Sequence, residues 1–291
     1  MKFSIVTPSY NQGQFIERTI LSVLNQKDVD LEYLIFDGAS TDNTVSILEK
    51  YSDKLDWVSE KDDGQGHAVN KGIQIASGDI IGWLNSDDIY YPDTLKKVKE
   101  AFDLNPNIDI LYGQANHIDV NCHVIEQYPT QSWDYNQLKN FCFICQPAVF
   151  FRKRVFKEYG LLNEDLNFCM DYEYWLRLAK NNIPFLYVQE ILAGSRLYAT
   201  NKTLGSTEKV HYEINQMLKS IYHQVPIRWL RNYAEVKINH INRQKQPLKY
   251  SLFFLFNILK ANLYWNHQWT RAMFLDIFQL VKKKKLASKN I

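Results

Sequence analysis

Residues 80–88 read IIGWLNSDD, an apolar run from Ile80 to Leu84 followed at once by Asn85-Ser86-Asp87-Asp88. A short continuous apolar run that stops at polar residues is typical of a strand buried on both faces of a parallel sheet. Adjacent carboxylates repel each other and need a cation or solvent between them. The stretch therefore predicts a central strand with polar chemistry at its carboxyl end.

The same alternation of apolar strand and amphipathic helix runs through the first 115 residues. The predicted strands are Phe3–Thr7, which Pro8 would end, then Tyr33–Phe36, Asp56–Ser59, Ile80–Leu84 and Ile108–Tyr112. Strands separated by helices form parallel sheets with right-handed crossovers. We therefore predict an α/β fold with a mostly parallel central sheet flanked by helices. Further on, the pattern predicts strands at 148–151 and 185–188, polar turns over 193–207, and helices after 207.

Composition excludes several classes of protein. The chain has 46% hydrophobic and 23% charged residues in 291, which excludes a disordered or low-complexity protein. Its four cysteines are too few for a disulfide scaffold, and Cys142 and Cys145 form a C-x-x-C without a second pair, which favours buried thiols. The first residues lead directly into a strand pattern, and no run of 18 apolar residues occurs. These features predict a cytoplasmic protein.

Charge is distributed unevenly along the chain. Residues 226–291 hold 13 Lys/Arg and two acids, which leaves 21 of the 34 basic and 30 of the 32 acidic residues for residues 1–225. The basic part also contains apolar and aromatic clusters around 252–265 and 269–281, followed by four lysines at 282–285. This pattern suits an interfacial helix pair on an anionic membrane, peripheral on its inner face. A helical cap with a basic tail is the alternative, and no nucleic-acid-binding module accompanies the tail.

Carboxylates follow several of the predicted strands. Ligands of open α/β sheets bind beyond the carboxyl ends of the strands, where Asp37, Asp62 and Asp87 occur here. The chain has neither a P-loop nor a dinucleotide-binding glycine motif, although Gly64 and Gly66 give an isolated G-x-G. An acidic site fits a diphosphate if a divalent cation lies between them, and Mg²⁺ or Mn²⁺ commonly takes one or two carboxylates plus phosphate oxygens.

Five segments carry a family resemblance. They are TPSYN at 7–11, DGASTD at 37–42, the stretch from Ser59-Glu60 to Asn70-Lys71-Gly72, SGD at 77–79, and LNSDD at 84–88. In this order the chain resembles a family 2 glycosyltransferase of the GT-A fold, over roughly residues 1–200. The resemblance implies a nucleotide-sugar donor, a divalent metal (Mn²⁺ or Mg²⁺) and inversion at the anomeric carbon.

The resemblance also implies site residues. The residues that would bind the donor nucleotide, a UDP-sugar by preference, are Thr7, Pro8, Tyr10, Asp37, Asp62, Asn70, Lys71, Asn85 and Ser86. The segment 85–87 stands where the family has D-x-D, but its first residue is Asn85. Asp87, with Asp88 nearby, is then the better metal ligand. A turn acid before Gly38 is the alternative interpretation of Asp37.

A second acidic motif, MDYEYW at 170–175, resembles the family segment that supplies the general base. Residues two apart on a helix point in nearly opposite directions, so Asp171 and Glu173 cannot both face the sugar. Both helix position and the family match favour Asp171, and a plain helix cap is the alternative. Gln146 matches an acceptor-side position. Arg196 stands where the family often has a basic residue near the diphosphate, but the usual Arg-x-His is absent.

These features predict an inverting glycosyltransferase that acts on a saccharide or lipid-linked acceptor in surface polysaccharide or glycolipid biosynthesis. The predicted catalytic domain spans 1–205, with a donor-binding half at 1–115 and an acceptor-binding half at 116–205. A helical, basic and aromatic extension spans 206–291. The alternatives are a nucleotidyltransferase that makes a nucleotide sugar and a degenerate GT-A binding scaffold.

Overall fold

A computed structural model of the chain describes residues 1–202 and 204–267. The strands are β1 Lys2–Ser9, β2 Asp30–Asp37, β3 Asp56–Ser59, β4 Ile80–Trp83, β5 Ile89–Tyr90, β6 Ile110–Ile118, β7 Val124–Gln127, β8 Val149–Arg152 and β9 Phe185–Arg196. The helices are α1 Ile16–Leu24, α2 Thr44–Glu49, α3 Gln65–Ile75, α4 Thr94–Leu104, α5 Tyr135–Leu138, α6 Arg154–Tyr159, α7 Met170–Lys180, α8 Thr207–Tyr222, α9 Ile227–Lys237 and α10 Pro247–Asn266.

The strands form one mixed sheet in the order β3-β2-β1-β4-β8-β6-β9-β5, and β7 pairs with β6. The first four strands along this order are parallel, which confirms the βα alternation that the sequence predicts. The strand β8 lies antiparallel between β4 and β6, while β9 runs parallel to β6. The fold is therefore α/β with a mixed sheet flanked by helices.

Apolar side chains of the sheet and of the helices over it form the core. In α1, Ile16, Ile20 and Val23 are fully buried because they recur on one helix face. All four residues of β4 are buried, as expected for a central strand covered on both faces. This rigid centre places the segment Asn85–Asp88 at the carboxyl edge of the sheet.

Several strand predictions were wrong at their ends, and β6, predicted to end at Tyr112, runs to Ile118. β1 does not stop before Pro8 but continues through it to Ser9, paired with β2 up to Asp37. β9 runs to Arg196, so the segment predicted as turns from residue 193 begins as a strand. Pairing with β2 carries β1 to Ser9, and pairing with β6 carries β9 to Arg196. No local sequence pattern reports such pairing.

The described residues form two compact units. The first comprises residues 1–138 and 142–204, and the second comprises 139–141 and the residues from Gly205 onward. In the second unit α10 packs against α9 and α8, and Asn266 accepts a hydrogen bond from the Val225 amide at 2.7 Å. The assignment of donor-binding and acceptor-binding halves to 1–115 and 116–205 stays a prediction.

Candidate active site

A cavity of about 710 Å³ opens at the carboxyl edge of the sheet in the first unit. Strand ends of β1, β2, β4 and β9 surround it, together with the amino-terminal ends of α3 and α7. Its polar and charged lining includes Ser9, Tyr10, Gln12, Lys61, Asp62, Gln65, Asn85, Ser86, Asp87, Asp88, Gln146, Asp171, Ser195, Arg196, Tyr198, Asn201 and Lys202. The sheet edge thus brings together residues from both ends of the first unit.

Helix α1 contacts the backbone of the segment Asn85–Asp88, which follows β4. The Thr19 hydroxyl lies 3.0 Å from the carbonyl oxygen of Ser86 and 2.7 Å from that of Asp88. Thr19 is fully buried, so this contact fixes the segment against the helix. The carboxylates of Asp87 and Asp88 are thereby fixed at the base of the cavity.

Asp88 is buried and Asp87 is half-buried, and each accepts a hydrogen bond from the end of β9 or the loop after it. The hydroxyl of Tyr198 donates to Asp87 Oδ2 at 3.0 Å, and the backbone amide of Arg196 donates to Asp88 Oδ1 at 2.8 Å. Burial raises the pKa of Asp87. Burial and the neighbouring Asp87 charge hold the pKa of Asp88 well above its ordinary value. A cation beside the pair would offset both effects.

Arg196 is buried rather than solvated, at 2% exposure. Its guanidinium donates to the carbonyl oxygens of Asp87 and Asp119 at 2.6 Å each and lies 4.9 Å above the Phe15 ring. Its other terminal nitrogen lies 3.2 Å from Cys122 Sγ. Arg196 therefore supports the Asp87 backbone, and these contacts turn its donors toward the protein rather than toward a ligand.

A hydrogen-bonded amide network surrounds Asn85. Its side-chain oxygen accepts from Gln65 Nε2 at 2.8 Å and from the Trp83 indole at 2.9 Å, and its nitrogen donates to Gln146 Oε1 at 2.9 Å. The same nitrogen lies 3.3 Å from Asp88 Oδ2. Lys202 extends the network, because its Nζ donates to Gln65 Oε1 at 3.0 Å. Asn85 thus joins the start of α3, the end of β4 and the segment that precedes β8.

The wall formed by the end of β1 and the loops after β2 and β3 includes Pro8, Tyr10 and Asp62. Tyr10 is 62% exposed and lines the cavity, so its ring offers a face to a ligand. A Cβ at Gly38 would lie 2.9 Å from Asp62 Oδ2, so glycine lets this carboxylate approach the strand end. The Ser9 hydroxyl is buried without a hydrogen-bond partner and lines the same wall.

Four residues predicted to bind the nucleotide do not line the cavity. The Thr7 hydroxyl pairs with Tyr33 at 3.2 Å in the core, and Lys71 forms an ion pair with Glu60. Asn70 is buried and hydrogen-bonded to the backbone of Leu162. In the fourth residue, Asp37, the carboxylate accepts hydrogen bonds from Ser40 and Ser59, as a turn acid does. The geometry assigns these four to the frame of the site, because their polar atoms face protein partners.

On α7, the two acids of the second motif have different surroundings. Asp171 lines the cavity in the first turn of the helix, and one carboxylate oxygen lies 2.7 Å from the Tyr172 amide. Glu173 does not line the cavity. Its two oxygens accept from Nε and Nη2 of Arg177 at 3.0 Å each. The two acids therefore point to different places, as the helical spacing predicts.

Sequence reasoning missed several residues that the cavity brings together, among them Ser9, Gln65, Tyr198 and Lys202. Ser9 lies within the motif at 7–11 and could have been found there. The other three come from the start of α3 and the loop after β9, which local patterns did not connect with the carboxylates.

The described residues contain no group of three or more His, Cys, Asp or Glu side chains arranged to hold a metal ion. The donor set nevertheless fits a hard divalent cation that takes part of its ligands from the substrate. Asp87, half-buried, and Asp88, buried, supply carboxylate oxygens with raised pKa values, and Mg²⁺ or Mn²⁺ commonly completes its shell with water and phosphate oxygens. The four cysteines are free thiols.

A cavity at the carboxyl edge of a mixed α/β sheet, lined by the Asp87–Asp88 pair and by Asp171 on α7, is the arrangement expected of a GT-A glycosyltransferase. A family model, "Glycosyl transferase family 2", matches residues 4–160. The chain belongs to this family, and its function is sugar transfer.

Known proteins resemble this chain in sequence or in fold. An uncharacterized glycosyltransferase of Haemophilus influenzae is 26% identical and covers 99% of this chain and 96% of its own. Chondroitin synthase of Escherichia coli is 28% identical over 72% of this chain, but the match spans 32% of that protein. The solved structure of S. aureus TarS 1–349 with UDP-GlcNAc covers 90% of this chain and 81% of its own, with 19% identity and a TM-score of 0.60. The mannosyltransferase PcManGT from Pyrobaculum calidifontis, solved with GDP-Man and Mn²⁺, covers 98% of this chain and 80% of its own, with 15% identity and a TM-score of 0.60.

Proposed function

We propose that the protein transfers a sugar from a nucleotide diphosphate donor, by preference a UDP-sugar, to a saccharide hydroxyl with inversion at the anomeric carbon. The observation that carries the proposal is that one cavity is lined by Pro8, Tyr10 and Asp62, by the Asp87–Asp88 pair and by Asp171. Similarity to chondroitin synthase supports a saccharide acceptor in surface polysaccharide or glycolipid biosynthesis.

The donor nucleotide would lie along Pro8, Ser9, Tyr10 and Asp62. The exposed Tyr10 ring can stack on a base, and the unpartnered Ser9 hydroxyl can hydrogen-bond ribose or base. Asp62 would take the role predicted for Asp37, because Asp62 lines the cavity and Asp37 does not. TarS with UDP-GlcNAc and UDP, and PcManGT with GDP-Man, are similar folds that bind nucleotide sugars.

Asp87 would hold a divalent cation, with Asp88 beside it. When bound, the cation offsets the negative charge that the leaving diphosphate gains. Both Asn85, which stands where the family has an acid, and Ser86 line the cavity next to the pair. Asn85 would act through its amide network, which ties the pair to Gln65 and Gln146. Gln146, which was predicted to contact the acceptor, would then also support the donor side through its hydrogen bond with Asn85.

Asp171 would act as the general base. Its carboxylate accepts the proton of the acceptor hydroxyl while the hydroxyl oxygen forms a bond to the anomeric carbon. The bond between that carbon and the diphosphate oxygen breaks, and its electron pair leaves with the diphosphate. One displacement inverts the anomeric carbon, so the reaction requires no enzyme nucleophile.

Lys202 would bind the diphosphate in the place predicted for Arg196. Arg196 directs its guanidinium to backbone carbonyls, whereas Lys202 lies on the cavity and reaches Asp88 through Gln65 and Asn85. An ammonium at this place would offset negative charge on the departing nucleotide. A small movement from Gln65 to a phosphate oxygen would exchange one hydrogen bond for a charge-assisted one.

We place the protein in the cytoplasm, where nucleotide sugars are available, and peripheral to the inner face of the membrane. No helix within residues 1–202 and 204–267 has the length and apolarity that a membrane span requires. The second predicted aromatic cluster, at 269–281, and the lysines at 282–285 lie outside the described residues.

Thermal stabilisation by a panel of nucleotide sugars tests the proposal. With Mn²⁺ present, UDP-sugars at 100 times their Kd should stabilise the folded state by about 2.7 kcal/mol, whereas nucleoside monophosphates should act more weakly. Release of UDP from the stabilising sugar should depend on Mn²⁺ and on an added saccharide acceptor. A protein that no nucleotide sugar stabilises, with or without metal, would be a scaffold rather than an enzyme.

A further inference from the structure

The helix α10 carries an exposed apolar stripe. Its members, Leu248, Leu252, Leu255, Phe256 and Leu263, are exposed by 81%, 67%, 38%, 63% and 48%. Their spacing of three, four or seven residues places them on one face of a helix. The residues that bury the opposite side of α10 are Phe254, Ile258, Ala261 and Trp265. We call the five exposed residues the α10 stripe.

Basic residues border the α10 stripe. Lys249 and Lys260 are both exposed and follow the stripe on one side of the helix, at 100° per residue. The sequence of α10 contains no aspartate or glutamate, and the region from residue 226 to the end has a net charge of +11. The exposed Phe253 and Tyr264 lie beyond these lysines, so the exposed side of α10 combines apolar side chains with lysines. Such a face is complementary to a bilayer surface, which has apolar chains beneath negatively charged headgroups.

We propose that the α10 stripe docks on the surface of an anionic lipid bilayer, with the helix lying in the plane of the interface. The stripe extends over 16 residues, or about 24 Å, which is shorter than the roughly 30 Å of a hydrocarbon core. Apolar side chains would enter the boundary between headgroups and acyl chains, while Lys249 and Lys260 meet anionic headgroups. This docking would bring the enzyme to membrane-bound acceptors.

A second copy of the chain fits the stripe less well. Two stripes packed face to face would bring the lysines of both helices close to one another, and α10 offers no acidic residue to pair with them. Like charges at such a contact are destabilising. The charges of α10 therefore favour lipid phosphate over another copy as its partner.

Vesicle flotation with the full-length protein tests the proposal. The protein should float with vesicles of phosphatidylcholine and phosphatidylglycerol at 7:3, and should not float with phosphatidylcholine alone. Leu252→Asn combined with Phe256→Asn should lower the partition coefficient at least tenfold. Lys249→Gln and Lys260→Gln should lower it about fivefold each at low salt. Both asparagine sites are exposed, so the melting temperature should change little.

A matched control replaces exposed apolar residues elsewhere. Ile75 and Leu104, exposed by 63% and 81% in the first unit, become asparagine and should leave vesicle binding unchanged. Leu248→Asn serves if the double variant does not fold. The proposal is overturned if stripe variants bind anionic vesicles as the wild type does, because the tail lysines then suffice. The proposal is also overturned if the protein binds vesicles only after residues 268–291 are removed. It is overturned as well if the stripe variants change only the oligomeric state, from dimer to monomer, and not vesicle binding. Vesicle binding does not require a donor, so this result is independent of sugar transfer.

Discussion

Replacing Asp171 by asparagine separates catalysis from folding in this enzyme. The change keeps the size of the side chain but removes the carboxylate that we propose as the general base. A general base typically contributes 10²–10⁴-fold, which corresponds to about 3–5 kcal/mol of transition-state stabilisation. We expect kcat to fall by this factor, while the Kd for UDP changes less than twofold because the base faces the acceptor rather than the nucleotide.

The matched variant is Glu173→Gln, two residues along the same helix. Glu173 binds Arg177 through two oxygens, and Arg177 also donates to the carbonyl oxygens of Tyr159 and Leu161 at 2.8 Å. Loss of the carboxylate charge at this part-buried pair should cost about 1.5–3 kcal/mol of folding stability. At about 2–4 °C per kcal/mol, the melting temperature should fall by roughly 3–12 °C. Folded Glu173→Gln should retain its kcat.

Initial transfer rates, nucleotide titration calorimetry and thermal melts of both variants give the required comparison. An active Asp171→Asn together with a stable but inactive Glu173→Gln would show that the base is Glu173 and that the cavity assignment is wrong. If both variants keep the full rate, the acidic motif only caps the helix. A loss of melting temperature in Asp171→Asn equal to that in Glu173→Gln would make its rate uninformative, and Asp171→Ser would then replace it.

Three further predictions concern the metal, the diphosphate and acid stability. Asp87→Asn should abolish Mn²⁺-dependent UDP binding and transfer, and full activity in EDTA would contradict the metal assignment. Lys202→Ala should weaken UDP binding about tenfold, measured by calorimetry, but should weaken uridine binding little. The control Lys99→Ala, on the surface of α4, should change neither affinity. Equal losses of affinity for UDP and uridine would contradict a diphosphate contact. Burial raises the pKa of Glu32, but hydrogen bonds from two serines and a lysine outweigh it and lower the pKa to about 2. Because the folded pKa lies below the unfolded value, Glu32 stabilises the fold above about pH 4.3, and this contribution is lost as the pH falls toward 2. Glu32→Gln should therefore lower the melting temperature at pH 7, and the melting temperature of this variant should fall less steeply on acidification than that of the wild type. Glu49→Gln should have neither effect. Identical curves of melting temperature against pH for the two variants would contradict the lowered pKa of Glu32.

Local sequence was sufficient to predict the parallel half of the sheet. Short apolar strands such as Ile80–Leu84 alternate with helices of 3.6-residue periodicity, and this alternation has few compact solutions. The antiparallel insertion of β8 and the length of β9 were not predictable in the same way. They depend on pairing with β6, whose residues lie 37 to 41 positions away from their partners in β8.

Part of the candidate site was likewise predictable from the sequence, and part was not. Because the carboxyl ends of parallel strands meet at one edge, sequence order alone predicted that Asp62 and Asp87 would approach the same cavity, and the spacing along α7 predicted that Asp171 and Glu173 would diverge. Sequence could not predict that the polar atoms of Thr7, Asp37 and Asn70 face protein partners, since motif membership fixes a backbone position and not the environment of a side chain.

By itself, then, the sequence determined the fold class, the family and the edge of the sheet at which the chemistry occurs, because periodicity and motif order are local properties. Only the tertiary structure decided which donors are available to a ligand. It buries Arg196 against the Asp87 backbone and places Lys202 on the cavity, six residues further along the chain. A buried guanidinium must satisfy its donors within the protein, and which carbonyl oxygens do so depends on strands and loops that only folding brings together.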